Sequence, residues 1–295
     1  MSISSISTKH AFRLSKHPLS NLSIYVDNGL IVVNKPPDLV CQLQARNEPR
    51  VAARNNLNTL FQKLRKDLLL LSDPYPVHRL DKGTTGSLVF ARTPHQARGL
   101  SQQFQQRTVE KTYLALVRGG AKSFESSFGE IRAPIAYNDG RGSLDISEEG
   151  LPSLTGWEVV ASSPVAPLTL LRLRLHTGHK HQLRIHASFC LKTPILGDSL
   201  YSANLPSETI LNATHLPENR IFLHASEISF YRYRVTGPNK RFRLGVRAPL
   251  PMDFLTICQD LKIQVNRADA KGGIFVDGLF VEDGKLPDVG GYWTQ

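Results

Sequence analysis

Leu168-Thr169-Leu170-Leu171-Arg172-Leu173-Arg174-Leu175-His176 carries the clearest β signal in the chain. Leu171, Leu173 and Leu175 alternate with Arg172, Arg174 and His176, so pleating puts leucines on one face and basic groups on the other. A helix is predicted to follow over residues 179–191. Toward the N-terminus, strands are predicted at 23–26 and 30–34 around an Asp27-Asn28-Gly29 turn, the pattern of a hairpin. Leu57, Leu60, Phe61, Leu64, Leu68 and Leu71 recur at spacings of three and four, which predicts an amphipathic helix over 49–71. Further strands are predicted at 87–91, 109–117, 225–232 and 242–246, and a helix at 94–107 opened by Pro94. The turn-rich, acidic stretch 137–154 reads as an exposed loop. Strands and helices intermingle without a regular βαβ rhythm. That predicts an α+β fold with a mixed, largely antiparallel β-sheet core and flanking helices.

Charge separates the chain into unlike parts. Its 36 Lys and Arg against 25 Asp and Glu give a formal net charge of +11. Residues 250–295 carry 4 basic and 7 acidic residues, which leaves the preceding residues at +14. An excess of that size is self-repulsive unless it faces a polyanion, and nucleic acid is the commonest one. Apolar runs such as the leucines at 68–71 are too short to cross a bilayer, which excludes a membrane-spanning role. Cys41, Cys190 and Cys258 lie far apart, an arrangement expected of reduced thiols inside a cell and not of a zinc site. The first 26 residues hold seven serines, Lys9, Arg13 and Lys16 but no acid. Residues 1–22 are thus expected to form a disordered basic leader or an organelle transit segment, with cytoplasm and mitochondrion both open. One folded domain is expected over 23–255. The acidic, Gly-punctuated 256–295 would be an extension, either a small β-rich appendage or a mobile tail.

Two segments carry the chemistry. In His78-Arg79-Leu80-Asp81-Lys82-Gly83-Thr84-Thr85-Gly86 an acid stands where a short strand breaks into a Gly/Thr turn. Such a carboxylate serves as nucleophile or general base, or else caps the turn, and these nine residues alone favour the cap. Thr177-Gly178-His179-Lys180-His181-Gln182-Leu183-Arg184-Ile185-His186 gathers basic groups at a helix start, where phosphate binds readily. Its histidines lack the carboxylate-bearing i, i+4 pattern of zinc helices, so no metal is expected.

Together these segments resemble the RluA-type family of pseudouridine synthases. Residues 78–91 follow that family's H-R-L-D-x-x-T-S-G-x-x-x-x-A with Thr85 for Ser, and 177–186 follow T-G-R-x-H-Q-x-R-x-H with His179 for Arg. Flanking stretches agree in order: Leu30 to Pro36, Glu110-Lys111-Thr112-Tyr113-Leu114-Ala115, Pro194-Ile195-Leu196-Gly197-Asp198-Ser199-Leu200-Tyr201, Phe222-Leu223-His224-Ala225 and Ala248-Pro249-Leu250-Pro251. The likeness covers about residues 24–255, and chance agreement of seven ordered motifs is remote. It implies the pseudouridine synthase fold and the isomerisation of uridine in ribosomal or transfer RNA without a cofactor. Asp81 matches the essential aspartate, Tyr113 the tyrosine that packs on the target base, and Arg184 a basic partner of the catalytic carboxylate. Leu183 matches a pocket-lining position. Arg79 is a candidate to order or replace the flipped nucleotide; His78 reads as a structural neighbour that borders the substrate. His179, Lys180 and the Arg172/Arg174 face are candidates for RNA backbone contact, with solvated surface charge the alternative. Residues 35–42 lack the Gly and His usual after the entry strand, and 145–149 are acidic where many relatives are basic. Both departures bear on substrate choice. The expected partner is RNA, and the chain is expected to act as a monomer without an S4 domain. A catalytically silent RNA-binding protein of the same fold is the competing reading.

Overall fold

The computed structural model describes residues 22–42 and 56–295, apart from 146, 148, 203, 235 and 239. The expected leader and the start of the 49–71 helix lie outside the described residues. The strands are β1 (Ser23–Val26), β2 (Leu30–Lys35), β3 (Tyr75–Pro76), β4 (Thr85–Ala91), β5 (Glu110–Arg118), β6 (Phe128–Arg132), β7 (Ile135–Asn138) and β8 (Arg141–Leu144). They continue with β9 (Leu154–Ser162), β10 (Leu168–Leu175), β11 (Leu223–Tyr233), β12 (Arg241–Arg247), β13 (Gly273–Val276), β14 (Leu279–Phe280), β15 (Lys285–Leu286) and β16 (Gly291–Trp293). The α-helices are α1 (Leu57–Asp67), α2 (Pro94–Gln105), α3 (Gln182–Ile185), α4 (Glu208–Ala213), α5 (Met252–Asp260) and α6 (Arg267–Lys271).

Among the described residues one sheet runs β15-β16-β1-β2-β4-β11-β5-β10-β9-β6, extended by β12, β13 and β14 beyond β11 and by β3 on β4. Its ladders are antiparallel except β4 with β11, which is parallel. The expected mixed, mostly antiparallel α+β architecture is what forms. Alternation sorts the side chains. On β5, Tyr113, Ala115 and Val117 join one core while Leu114 and Leu116 join another on the opposite face. Leu171 and Leu173 of β10 join the first core, and Leu168 and Leu170 the second. Leucines buried on both sides of β10 thus mark a strand covered on both faces.

Four expectations change. The basic face of β10 is only partly free, because Arg172 meets Asp269 at 2.8 Å and Glu158 at 3.6 Å, while Arg174, 3.7 Å from Glu158, stays exposed. Residues 137–154 are not a plain loop: β7 and β8 form a hairpin, and Ile135 packs with Ile185 and Tyr201. The amphipathic helix is α1 alone, capped by the Asn56 side chain, and Leu71 beyond it is 99% exposed. The expected boundary at 255 falls inside α5, whose Phe254, Ile257 and Cys258 are buried. Beyond it β13 pairs with β12 and β16 with β1, so the acidic C-terminal residues extend the sheet at two of its edges, while β6 forms another.

Two positions hold the turn that carries Asp81 against β11. Gly86 has φ +110°, and a Cβ there would run into the Ala225 carbonyl. Beside it the Thr85 hydroxyl lies 2.9 Å from His224 Nδ1, while His224 Nε2 lies 3.3 Å from the Ala248 carbonyl. Threonine thus fills the serine position of the motif with its hydroxyl engaged. Replacing Gly86 with alanine forces backbone apart at a glycine-only conformation and should cost on the order of 3 kcal/mol in chemical denaturation.

Burial pushes the His224 pKa down to about 4, and burial followed by the Lys111 charge pushes His78 down to about 3. Both are neutral in the fold. Above the unfolded value of about 6.5 neither state is charged; below it the unfolded chain takes up protons first, so stability is lost as pH falls. The loss should be on the order of 2 kcal/mol per histidine by about pH 5. Thermal melts should show a falling midpoint on acidification, with a shallower slope in His78→Gln.

Candidate active site

Asp81 sits in the turn between β3 and β4, and the turn is stapled from behind. The Thr84 N–H donates to the Asp81 carbonyl at 3.1 Å, and the Asp38 N–H donates to the Lys82 carbonyl at 2.9 Å. Lys35, fully buried at the end of β2, donates from Nζ to the carbonyls of Pro36 and Lys82, each at 2.9 Å. Burial lowers its pKa to about 8. An ammonium in that position is spent on backbone oxygens, and those bonds offset part of its desolvation cost.

The opposite wall comes from the segment after β10. The predicted helix start at His179 is displaced, because His181 takes a left-handed conformation with φ 57° and α3 begins only at Gln182. The chain then widens into a π-turn over His186–Cys190. Gln182 locks this bend: its Oε1 accepts from the Thr177 hydroxyl at 2.8 Å and the His179 N–H at 3.2 Å, and its Nε2 donates to the Leu154 carbonyl at 3.0 Å. His186 is buried, with Nδ1 2.9 Å from the Thr155 hydroxyl.

Between these walls lies a cavity of about 480 Å³ bordered by Asp81, Tyr113, Leu183, Arg184, His181 and Arg79. The Asp81 side chain is 22% exposed, with Oδ2 3.9 Å from Arg184 Nη1 and Oδ1 3.8 Å from His181 Nε2. The expected Arg184–Asp81 pair is therefore looser than the sequence suggested. Arg184 spends its fork on Asp198, at 2.7 Å from Nε and 2.8 Å from Nη2, because that carboxylate is buried and bidentate geometry is the stronger arrangement. Burial works against the Arg184 charge, but the hydrogen bonds and charge of Asp198 outweigh it and raise the pKa. Asp198 also accepts the N–H groups of Leu200 and Tyr201 at 3.1 and 3.2 Å, and the Tyr201 hydroxyl lies 2.9 Å from His181 Nδ1. Tyr113 is 7% exposed; burial first, and the Asp81 charge second, raise its pKa, so the phenol is neutral.

The structure brings Asp81, Tyr113, Leu183 and Arg184 together, with Arg79 exposed at the rim. Three other expected contacts have protein partners. His78 Nε2 accepts the Val89 N–H at 3.0 Å and its ring stacks on Phe104 at 4.9 Å, so it bolts the strand while bordering the cavity. His179 Nε2 lies 3.0 Å from the Pro152 carbonyl, and Lys180 Nζ donates to Gly140 at 2.8 Å, so both tie down the segment around β7 and β8. His181, Asp198 and Tyr201 were missed as site residues. Their signal was present in the G-D-x-x-Y stretch, but nothing in the sequence says that it folds beneath Arg184. Among the described residues no group of three His, Cys, Asp or Glu side chains is placed to hold a metal ion, and no helix is long and apolar enough to cross a membrane.

The profile of the RNA pseudouridylate synthase family matches residues 29–189, which include both walls of the cavity. The chain belongs to the RNA pseudouridylate synthase family. The ordered motifs put it with that family's RluA-type members. An uncharacterized RNA pseudouridine synthase of Aquifex aeolicus is 35% identical over 194 residues, which span 63% of this chain and 58% of that protein. Ribosomal large subunit pseudouridine synthase D of Vibrio parahaemolyticus is 31% identical over 245 residues, or 81% of this chain and 70% of the relative. The solved structure of human RNA pseudouridylate synthase domain containing 4 superposes with a TM-score of 0.66 at 25% identity, covering 85% of this chain and 96% of that one.

Asp198 reaches Asp81 only through Arg184. Asp198→Asn leaves a buried guanidinium without its counter-charge and should lower stability by about 3–5 kcal/mol. Turnover of RNA uridine should fall on the order of a hundredfold, as a group displaced by about 1 Å does. Guanidinium denaturation and release of tritium from C5-labelled uridine check the two effects separately.

Proposed function

We propose that this chain is an RNA pseudouridine synthase that isomerises specific uridines of ribosomal or transfer RNA, with Asp81 as the catalytic carboxylate. The observation that carries this reading is the cavity itself. Asp81 is the sole carboxylate bordering it among the described residues, and Tyr113, Leu183 and Arg184 stand around it. In the reaction the N1–C1′ bond breaks, the detached uracil turns, and a C5–C1′ bond forms. The C5 proton leaves and N1 takes one up, so atoms and electrons balance without a redox partner. Asp81 either attacks the sugar or base or removes a ribose proton, and both routes need an ionised carboxylate at the cavity wall. Tyr113 supplies a neutral ring on which the base can pack. Leu183 and the ring together limit water around the free base. The uridine must leave its stack to enter, at a cost of a few kcal/mol, and unstacked loops or ends are the natural targets.

The name of the Vibrio relative includes the large ribosomal subunit, which supports ribosomal RNA as the first pool to assay. A silent RNA-binding protein has no chemical need for Asp81, Tyr113 and Arg184 in one cavity.

The test is tritium release from C5-labelled uridine in total RNA, comparing the wild-type protein with Asp81→Ala and Asp81→Asn. We expect release by the wild type, none above background by either variant, and RNA affinity within a few-fold for all three. Turnover by a variant would sink the catalytic assignment; tight binding without release by the wild type would favour the silent reading.

A further inference from the structure

Arg79, Arg107 and Lys111 border the cavity of Asp81 with no acidic partner for any of them among the described residues. Lys111 and Tyr113 leave the same face of β5, about 7 Å apart along the strand. Glu110 leaves the other face and meets Arg243 at 3.3 Å, so it does not neutralise Lys111. The lysine is half-buried, and a Cβ on Gly178 would lie 3.5 Å from its Nζ. Burial, then the nearby charge of Arg107, hold its pKa below the ordinary lysine value. Arg107 follows α2 in a left-handed conformation with φ 56° and borders both this cavity and a neighbouring one of about 430 Å³ that also includes His176 and Arg132. Lys111 is partly desolvated, and the exposed Arg107 adds a second positive charge at the same cavity, so without a counter-ion the pair is self-repulsive. A bound anion reverses that cost.

We propose that Arg107 and Lys111 form an anion site for a backbone phosphate of the RNA, beside the Tyr113 ring and at the junction of the two cavities. It rests on the reading of the cavity as a uridine site and adds the place where the strand is gripped. The Arg107 fork and the Lys111 ammonium give one phosphate charge-assisted contacts from two sides. His179 and Lys180, the candidates for backbone contact in the sequence, reach the carbonyls of Pro152 and Gly140.

The experiment measures anisotropy of a fluorescein-labelled oligouridylate over a series of potassium chloride concentrations. The proteins are the wild type, Lys111→Met, Arg107→Gln, and Lys285→Met as a control on β15. Losing one phosphate contact should reduce the slope of log affinity against log salt by about 0.7 for a single strand. Lys111→Met and Arg107→Gln should each show that reduction, Lys285→Met should not, and Lys111→Met should melt no lower than the wild type. An unchanged slope in Lys111→Met, or no oligouridylate binding by the wild type at any salt, overturns the anion site. Tritium release by the wild type is read in parallel. Release with an unchanged slope sinks the anion site alone, whereas a reduced slope without release sinks the synthase reading alone.

Discussion

The ion pair between Arg184 and Asp198 is the constraint on which the site turns. Asp198 is fixed by two backbone N–H groups and by both arms of the guanidinium, so it has little freedom. Arg184 in turn lies over the Tyr201 ring at 5.1 Å and leaves one nitrogen facing Asp81 at 3.9 Å. A carboxylate held at that distance feels a positive charge without being locked into a hydrogen bond with it. That suits the catalytic role proposed for Asp81, because a tight bidentate pair would have to be broken first. The stronger pairing is given to Asp198, which has no direct contact with Asp81.

The sheet explains why the two walls meet. β4 leaves the Asp81 turn and lies parallel to β11, while β5 lies against the other side of β11 and delivers Tyr113. β10 pairs with β5 and ends at the bend that delivers His181 and Arg184. Tyr113 therefore sits between the two loops because its strand sits between theirs. The close approach of β4 and β11 at Gly86 transmits to the Asp81 turn any shift in β11, and Lys35 fixes that turn from the other side.

Cations around the cavity divide into two kinds. Arg184 and Lys180 have partners within the protein and shape it. Arg107, Lys111 and Arg79 have none among the described residues and face the space where a polyanion would lie. The basic excess in the composition is thus partly structural. Counting charges along β10 overstated its free positive face, because Asp269 on α6 and Glu158 on β9 come back to cover it.

Local pattern alone determined much of this molecule. The alternation of β10, the hairpin around Asp27-Asn28-Gly29, the stripe of α1 and the Gly/Thr turn after Asp81 depend on neighbours within a few residues, so they were legible in sequence. The ordered motifs also pointed to Asp81, Tyr113, Leu183 and Arg184, which border one cavity. What the sequence left open depends on contacts between distant segments. Neither the pairing of Arg184 with Asp198, 14 residues away, nor that of Arg172 with Asp269, 97 residues away, has a periodic signal. The acidic C-terminal stretch read as an extension, either a small β-rich appendage or a mobile tail, yet β13 and β16 supply sheet edges to β12 and β1. Backbone hydrogen-bonding capacity at a strand edge is the same for every residue except proline, so only the assembled fold could decide which segment would fill it.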